Sequence, residues 1–345
     1  MNSDVITRTL LMVLVPFLFV VLIIPYIKKI AKAINAIDMP RTRHIHKVPT
    51  PKLGGLAIFL GFLLGYMIFG THSVTMNAIL IGSFIIIITG VIDDVSELSP
   101  VHKLIGQLAA ALVITVYGKL LIIDVSAFGF YINFSFLSYP LTIFFIIGCI
   151  NCINLIDGLD GLAGGIASIY FLTIGIIAVT LKSSSGLDTI LTFVMLGSTL
   201  GYLYHNFYPA KIFMGDSGSM FLGYMISIIA LLGYKNITFT SFIVPVFLLA
   251  IPILDTLFAI VRRLVNHKPI SMPDKNHLHH QFLKKNFSQR KTVLVIYAID
   301  ILFAIASIVY VLGDFEQGII IYIILFILVL VFVLKTDIIR EHKKK

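Results

Sequence analysis

Eleven apolar stretches, each near the length of helix that crosses about 30 Å of hydrocarbon, follow one another along this chain. They lie at 9–27, 53–70, 76–92, 104–123, 137–156, 162–181, 187–204, 217–234, 238–261, 292–312 and 318–334. Only 12% of the side chains are charged and mean hydropathy is +1.01, whereas a soluble domain is about 25% charged. Soluble enzyme folds, a coiled coil and a disordered tail protein are therefore excluded, and the expected fold is all-α and polytopic. The first stretch runs into Lys28, Lys29 and Lys32 without a small-residue cleavage site and reads as a span rather than a leader.

Basic residues collect on the cytoplasmic side of a membrane. Of the 26 Lys and Arg, 22 fall in loops after odd-numbered spans or in the C-terminal tail, leaving only Arg8, Lys119, Lys182 and Lys235 on the other side. This predicts an outside N-terminus, a cytoplasmic C-terminus and about eleven transmembrane helices. The net charge of +9 is thereby sorted by membrane face, so nucleic acid is not an expected partner. Cys149 and Cys152 share one apolar run and read as core, not as a disulfide framework.

The acidic residues of the inner face cluster in glycine-rich segments: V-I-D-D-V-S-E-L-S-P at 91–100, N-L-I-D-G-L-D-G-L-A-G-G at 154–165 and F-M-G-D-S-G-S at 213–219. Adjacent carboxylates such as Asp93 and Asp94 do not both ionise cheaply without a cation or donors nearby. Alone, they also read as a solvated helix end. Asp157 and Asp160 would share one side of a helical turn, with Asn154 a turn earlier, although Gly-Asp segments also form ordinary loops. Asp216 and its neighbours open a span, where free N–H groups attract anions or an Asp simply caps the helix.

His277, His279 and His280 stand in a basic loop over 262–291, flanked by Lys275, Lys284 and Lys285. Without a nearby thiol they suit phosphate contact or proton handling better than zinc. Asp255 lies inside a span at a cost of roughly 2.5–3.5 kcal/mol, with Arg262 and Arg263 two turns on as candidate ion-pair partners. Asp300, also intramembrane, has no partner legible in the sequence. The whole set suits phosphoryl transfer on a diphosphate at the membrane surface, with a divalent cation bridging oxygens. Mg²⁺ takes only one or two protein carboxylates, so Asp93, Asp94, Asp157, Asp160 and Asp216 are not all ligands.

With P-T-P-K-L-G-G at 49–55, these motifs in this order on alternate loops resemble the polyprenyl-phosphate N-acetylhexosamine-1-phosphate transferase family over roughly residues 25–290. H-L-H-H at 277–280 and eleven spans resemble its bacterial undecaprenyl-phosphate GlcNAc-1-phosphate transferases. The phospho-MurNAc-pentapeptide branch carries three consecutive histidines and ten spans, a pattern this chain leaves at Leu278. The resemblance implies one polytopic domain over 1–345, with a transferase core at about 25–290 and two extra C-terminal spans at 292–334, in the cell membrane.

It implies Mg²⁺ as cofactor, with Mn²⁺ as a substitute, and UDP-GlcNAc, undecaprenyl phosphate and membrane lipids as partners. A homodimer is compatible with the sequence. By the same carry-over Asp216, Asn154 and Asp94 stand near the metal, and Asp93, Asp94, Asp216 and His279 form the catalytic set, with Asp93 the candidate for proton removal. Asp160 would hydrogen-bond uracil and Phe213 would stack on it. Asn206, Asp157 and Lys47 would line the nucleotide pocket, and His277, His279, His280 and Arg263 would contact phosphate or sugar. Glu97 receives no role. A transporter would place its charges at mid-membrane in two repeated halves, and an aromatic prenyltransferase would need no uridine pocket.

Overall fold

The computed structural model describes residues 3–39, 48–127, 130–181, 186–235, 243–267, 269 and 277–334. The chain is a helical bundle: α1 (Ser3–Ala33), α2 (Gly54–Phe69), α3 (Val74–Val95), α4 (Pro100–Leu112), α5 (Ser138–Ile156), α6 (Leu162–Thr180), α7 (Leu187–Asn206), α8 (Gly215–Lys235), α9 (Ile243–Leu248), α10 (Ala250–Val265), α11 (Leu278–Lys284), α12 (Gln289–Leu312) and α13 (Phe315–Leu334). Among the described residues nine helical segments are long and apolar enough to cross a membrane, and α2 is a shorter apolar helix. The protein is an all-α, multi-pass membrane protein.

α8 occupies the centre, packed by α3, α5 and α2, whereas α13 stands at the edge against α12. The apolar window of α8 is 89% buried and that of α13 only 22%, which separates the protein-lined core from the lipid-facing periphery. Small residues set the close approaches. A Cβ on Gly197 or Gly201 of α7 would overlap the α1 backbone at Val13 or Phe17. Cys149 and Cys152 are free, buried thiols, as expected of core residues.

Two expected spans are drawn differently. The stretch at 104–123 begins earlier, where Ser99 precedes Pro100 at the first turn of α4, and ends in a π-turn at Val113–Tyr117. Lys119 then turns the chain (φ 48°), and Asp124–Ala127 (β3) pairs antiparallel with Phe130–Asn133 (β4). Hydropathy alone reads Leu120–Ile123 as more helix, because an apolar segment outside any helix scores the same as one inside it. The stretch at 238–261 is broken at Leu249 between α9 and α10, and residues 236–242 lie outside the described part. Pro252 accounts for the break: its ring excludes the carbonyl four residues earlier, that of Leu248. A second small pair, Ile37–Asp38 (β1) with Thr50–Pro51 (β2), leads into α2.

Candidate active site

The site grows from the start of α8. Phe213 N–H donates to the Pro51 carbonyl (2.8 Å), while Gly54 and Gly55 N–H donate to Phe213 and Met214 (2.9 and 3.0 Å), so the 49–55 and 213–219 motifs run together. Gly55 meets Gly218, and Gly90 of α3 meets Ser217, so closely that a Cβ would overlap backbone at either place. These contacts bring the end of α3 onto the first turn of α8. There Asp94 Oδ1 accepts from Asp216 N–H (2.8 Å), and Oδ2 accepts from Ser217 N–H (3.2 Å) and the Ser217 hydroxyl (2.6 Å). Asp94 is thus a helix cap supplied by another helix, and it satisfies donors that α8 leaves unpaired.

Asp216 is held from two sides. Lys103 Nζ of α4 donates to its Oδ2 (2.5 Å), and Asn154 Nδ2 of α5 donates to its Oδ1 (2.5 Å) and to Ser219 Oγ (2.8 Å). The same ammonium pairs with Asp93 Oδ2 at 2.8 Å, while Asp93 Oδ1 accepts from Leu98 N–H (2.7 Å). One lysine therefore joins the ends of α3 and α8. Sequence reading missed Lys103, although it is the single Lys or Arg between Lys52 and Lys119 and follows closely on Asp93 and Asp94.

Asp157 and Asp160 do not share a helical turn, because α5 ends at Ile156 and the segment to Gly161 is an irregular turn. Gly161 takes φ 82°, open to glycine and costly for other residues. Its N–H donates to Asn206 Oδ1 (2.8 Å), and its carbonyl accepts from the Tyr297 hydroxyl of α12 (2.5 Å). Asn206 Nδ2 donates to the Ile212 carbonyl (2.8 Å), and Asp160 Oδ2 accepts from Ala210 N–H (3.0 Å). The turn is therefore sewn to the α7–α8 connection. Burial pushes the Asp157 carboxyl up to about 8, with further repulsion from Asp216, Asp94 and Asp160.

These elements enclose a polar pocket of about 360 Å³. Of the residues singled out in the sequence, Asp94, Asn154, Asp157, Asp160, Asn206, Phe213, Asp216 and His280 line it. Lys52 and Ser219, from the 49–55 and 213–219 motifs, line it as well, as do Asp38 and Gln289, which were not foreseen. Lys47 lies outside the described residues. Asp93 stands behind the wall, tied to it through Lys103.

The histidine cluster is anchored by Asp255. His277 Nδ1 lies 3.0 Å from Asp255 Oδ2, and Leu278 N–H donates to Oδ1 (2.7 Å). The expected arginine pairing of Asp255 is thus replaced by one with His277, because the start of α11 sits against α10. The His277 and His279 rings are parallel at 5.8 Å, and His279 and His280 are 4.3 Å apart. His279 packs against Gly158. Burial, with His280 and His277 beside it, pulls the His279 imidazole down to about 3, so it is neutral at pH 7. Only His280 of the three reaches the pocket wall, and Arg263 is buried at the end of α10 away from it. Asp300 is buried with its Oδ1 unpartnered.

Among the described residues no three His, Cys, Asp or Glu side chains form a ready-made metal cage. The donors around Asp216 are hard oxygens and an amide, which suit a cation that completes its shell with water and phosphate rather than a thiolate metal.

The sequence profile of glycosyl transferase family 4 matches residues 76–234, the stretch that carries Asp93, Lys103, Asn154, the Gly161 turn and Asp216. A protein named "Probable undecaprenyl-phosphate N-acetylglucosaminyl 1-phosphate transferase" from Bacillus subtilis is 42% identical over 340 residues, covering 98% of this chain and 94% of its own length. The chain belongs to glycosyl transferase family 4. A decaprenyl-phosphate N-acetylglucosaminephosphotransferase of Mycobacterium tuberculosis is 35% identical over 302 residues, 79% of this chain and 74% of its own. The undecaprenyl-phosphate alpha-N-acetylglucosaminyl 1-phosphate transferase of Escherichia coli K12 is 27% identical over 294 residues, 81% of this chain and 78% of its own. As a family 4 transferase the chain is an enzyme, and its pocket extends beyond the profile match through Lys52, His280 and Gln289.

Proposed function

We propose that the chain transfers N-acetylglucosamine 1-phosphate from UDP-GlcNAc to undecaprenyl phosphate, releasing UMP and forming undecaprenyl-diphospho-GlcNAc, the first membrane step of a cell-wall polymer. The observation that carries this reading is Asp216 at the start of α8, held between Lys103 and Asn154 in a polar pocket at one end of an apolar bundle. A lipid phosphate and a soluble nucleotide sugar can meet only at such a place, where water and hydrocarbon adjoin. The names of the Bacillus and Escherichia relatives support the donor and acceptor.

An oxygen of the acceptor phosphate attacks the β-phosphorus of UDP-GlcNAc, the diphosphate bridge breaks, and UMP leaves with the bonding electrons. Catalysis is then positioning and charge stabilisation, without a covalent enzyme intermediate. Asp93 stands behind the wall, so any proton left on the acceptor reaches it by relay through Lys103 rather than by direct contact. Mg²⁺ would supply Lewis-acid charge stabilisation for the diphosphate. Asp216 and Asn154 would hold it, and Mn²⁺ would substitute. Asp94, engaged in capping α8, sets the position of Asp216. Phe213 stacks on uracil and Asp160 hydrogen-bonds it, while Lys52 and His280 face the phosphates or sugar. Asn206 shapes the wall, since both ends of its amide are tied to backbone.

The membrane is the plasma or inner membrane, crossed eleven times, with the N-terminus outside and the pocket and tail in the cytoplasm. UMP release from purified protein with undecaprenyl phosphate and Mg²⁺ tests the reading across UDP-GlcNAc, UDP-GalNAc and UDP-MurNAc-pentapeptide. Release with UDP-GlcNAc alone, lost with EDTA or without lipid, is expected. Preference for the pentapeptide would move the chain to the sister branch, and no release from a folded protein with any donor would reject the activity.

A further inference from the structure

At the same end of the bundle, a second cavity of about 280 Å³ opens between the end of α1 and the turn joining α7 to α8. Its polar lining is basic throughout: Lys28, Lys29 and Lys32 from α1, Lys211 from the turn and His205 from the last turn of α7. Ile24 and Pro25 complete it, and none of its lining residues is acidic. The framework is fixed by backbone: His205 Nε2 lies 3.1 Å from the Val21 carbonyl, and Lys211 N–H donates to the His205 carbonyl (2.9 Å). Four ammonium groups gathered on one cavity repel each other, and an anion between them relieves that repulsion.

A second observation bears on the nature of the anion. Leu14, Leu18 and Leu22 are all more than 40% exposed and stand four residues apart on α1, and Leu22 shares a face with Lys29 two turns on, so an outward apolar ridge leads to the basic cleft. From Leu14 to Leu22 it runs about 12 Å at 1.5 Å per residue, a large part of the reach of one acyl chain. A ligand that satisfies both features has an anionic head and a hydrocarbon tail.

We infer that this cleft binds an anionic phospholipid, its phosphate among Lys28, Lys32 and Lys211 and an acyl chain along Leu14, Leu18 and Leu22. A free phosphate would meet the same lysines and leave the apolar ridge unused. The site is distinct from the carboxylate pocket, although the turn between α7 and α8 forms a wall of both, with Lys211 on one side and Phe213 and Met214 on the other.

Native mass spectrometry of the full chain, loaded in detergent with phosphatidylglycerol or phosphatidylcholine, measures retained lipid without reference to transferase activity. The wild type is expected to retain phosphatidylglycerol about tenfold over phosphatidylcholine. K28Q/K32Q/K211Q should lose the preference, K28R/K32R/K211R should keep it, and millimolar inorganic phosphate should not displace the lipid. K211Q alone, with a wild-type unfolding midpoint, should lose two- to threefold and covers the case in which the triple variant misfolds. Undiminished preference in a folded glutamine variant would overturn the assignment. Displacement by inorganic phosphate would make it a soluble-anion site, and one-for-one displacement by undecaprenyl phosphate would make it part of the acceptor path; either result rejects a phospholipid site.

Discussion

The Asp94 carboxylate lies over the first turn of α8 and accepts from both the N–H and the hydroxyl of Ser217, at 3.2 and 2.6 Å, although Ser217 stands 123 positions later in the chain. A helix end that should be met by its own preceding residue is met instead by α3. Two motifs that are remote in sequence therefore form one structural unit, and their mutational effects should not be independent.

D94A should destabilise the protein by about 1–3 kcal/mol, because it leaves buried donors of α8 unsatisfied, whereas D94N should cost less by keeping one acceptor oxygen. Unfolding midpoints in detergent check this. A double-mutant cycle with S217A should give a coupling of about 0.5–3 kcal/mol, and strict additivity would contradict the shared cap.

Lys103 bridges Asp93 and Asp216. Removing its ammonium in K103M leaves two close carboxylates without a fixed cation, and UMP release should fall by at least about 100-fold, the scale of losing one preorganised charge contact. Activity within a factor of three of the wild type would remove Lys103 from the site.

His279 binds a proton less readily folded, at about 3, than its ordinary value of 6.5. Asp255, which pulls the other way, is outweighed by burial and by His277 and His280. The unfolded chain then takes up the extra proton, so stability is full above about pH 6.5 and declines toward pH 3, by up to about 1.4 kcal/mol per pH unit. H279Q should flatten denaturation midpoints between pH 6.5 and 4.

Tyr297 holds the carbonyl of Gly161 while Asn206 holds its N–H. Y297F removes one hydrogen bond worth about 1 kcal/mol, about fivefold in an equilibrium. Because the turn carries Asp157 and Asp160, KM for the nucleotide sugar should rise by that factor with kcat little changed. An equal fall in kcat at constant KM would assign Tyr297 a different role.

Much of this site is legible in sequence because its motifs are local: Asp93 with Asp94, the 154–165 segment and the start of α8 each announce a turn or a helix end. The rest is set by contacts across long separations. Lys103 meets Asp216 across 113 residues and Tyr297 meets Gly161 across 136, and no periodicity encodes either. Apolar content locates helices but not their ends, so the hairpin after Tyr117 and the break at Leu249 were absorbed into spans. Asp255 stands near two arginines in sequence, yet the start of α11, 22 residues on, gives it His277.

The tie from α12 to Gly161 makes the last two helices part of how the pocket is inherited. A chimera that took α12 and α13 from another family 4 protein would import a new Gln289 and Tyr297 together with its hydrophobic surface. Donor preference should then travel with the C-terminal helices, even though the aspartate motifs stay where they were.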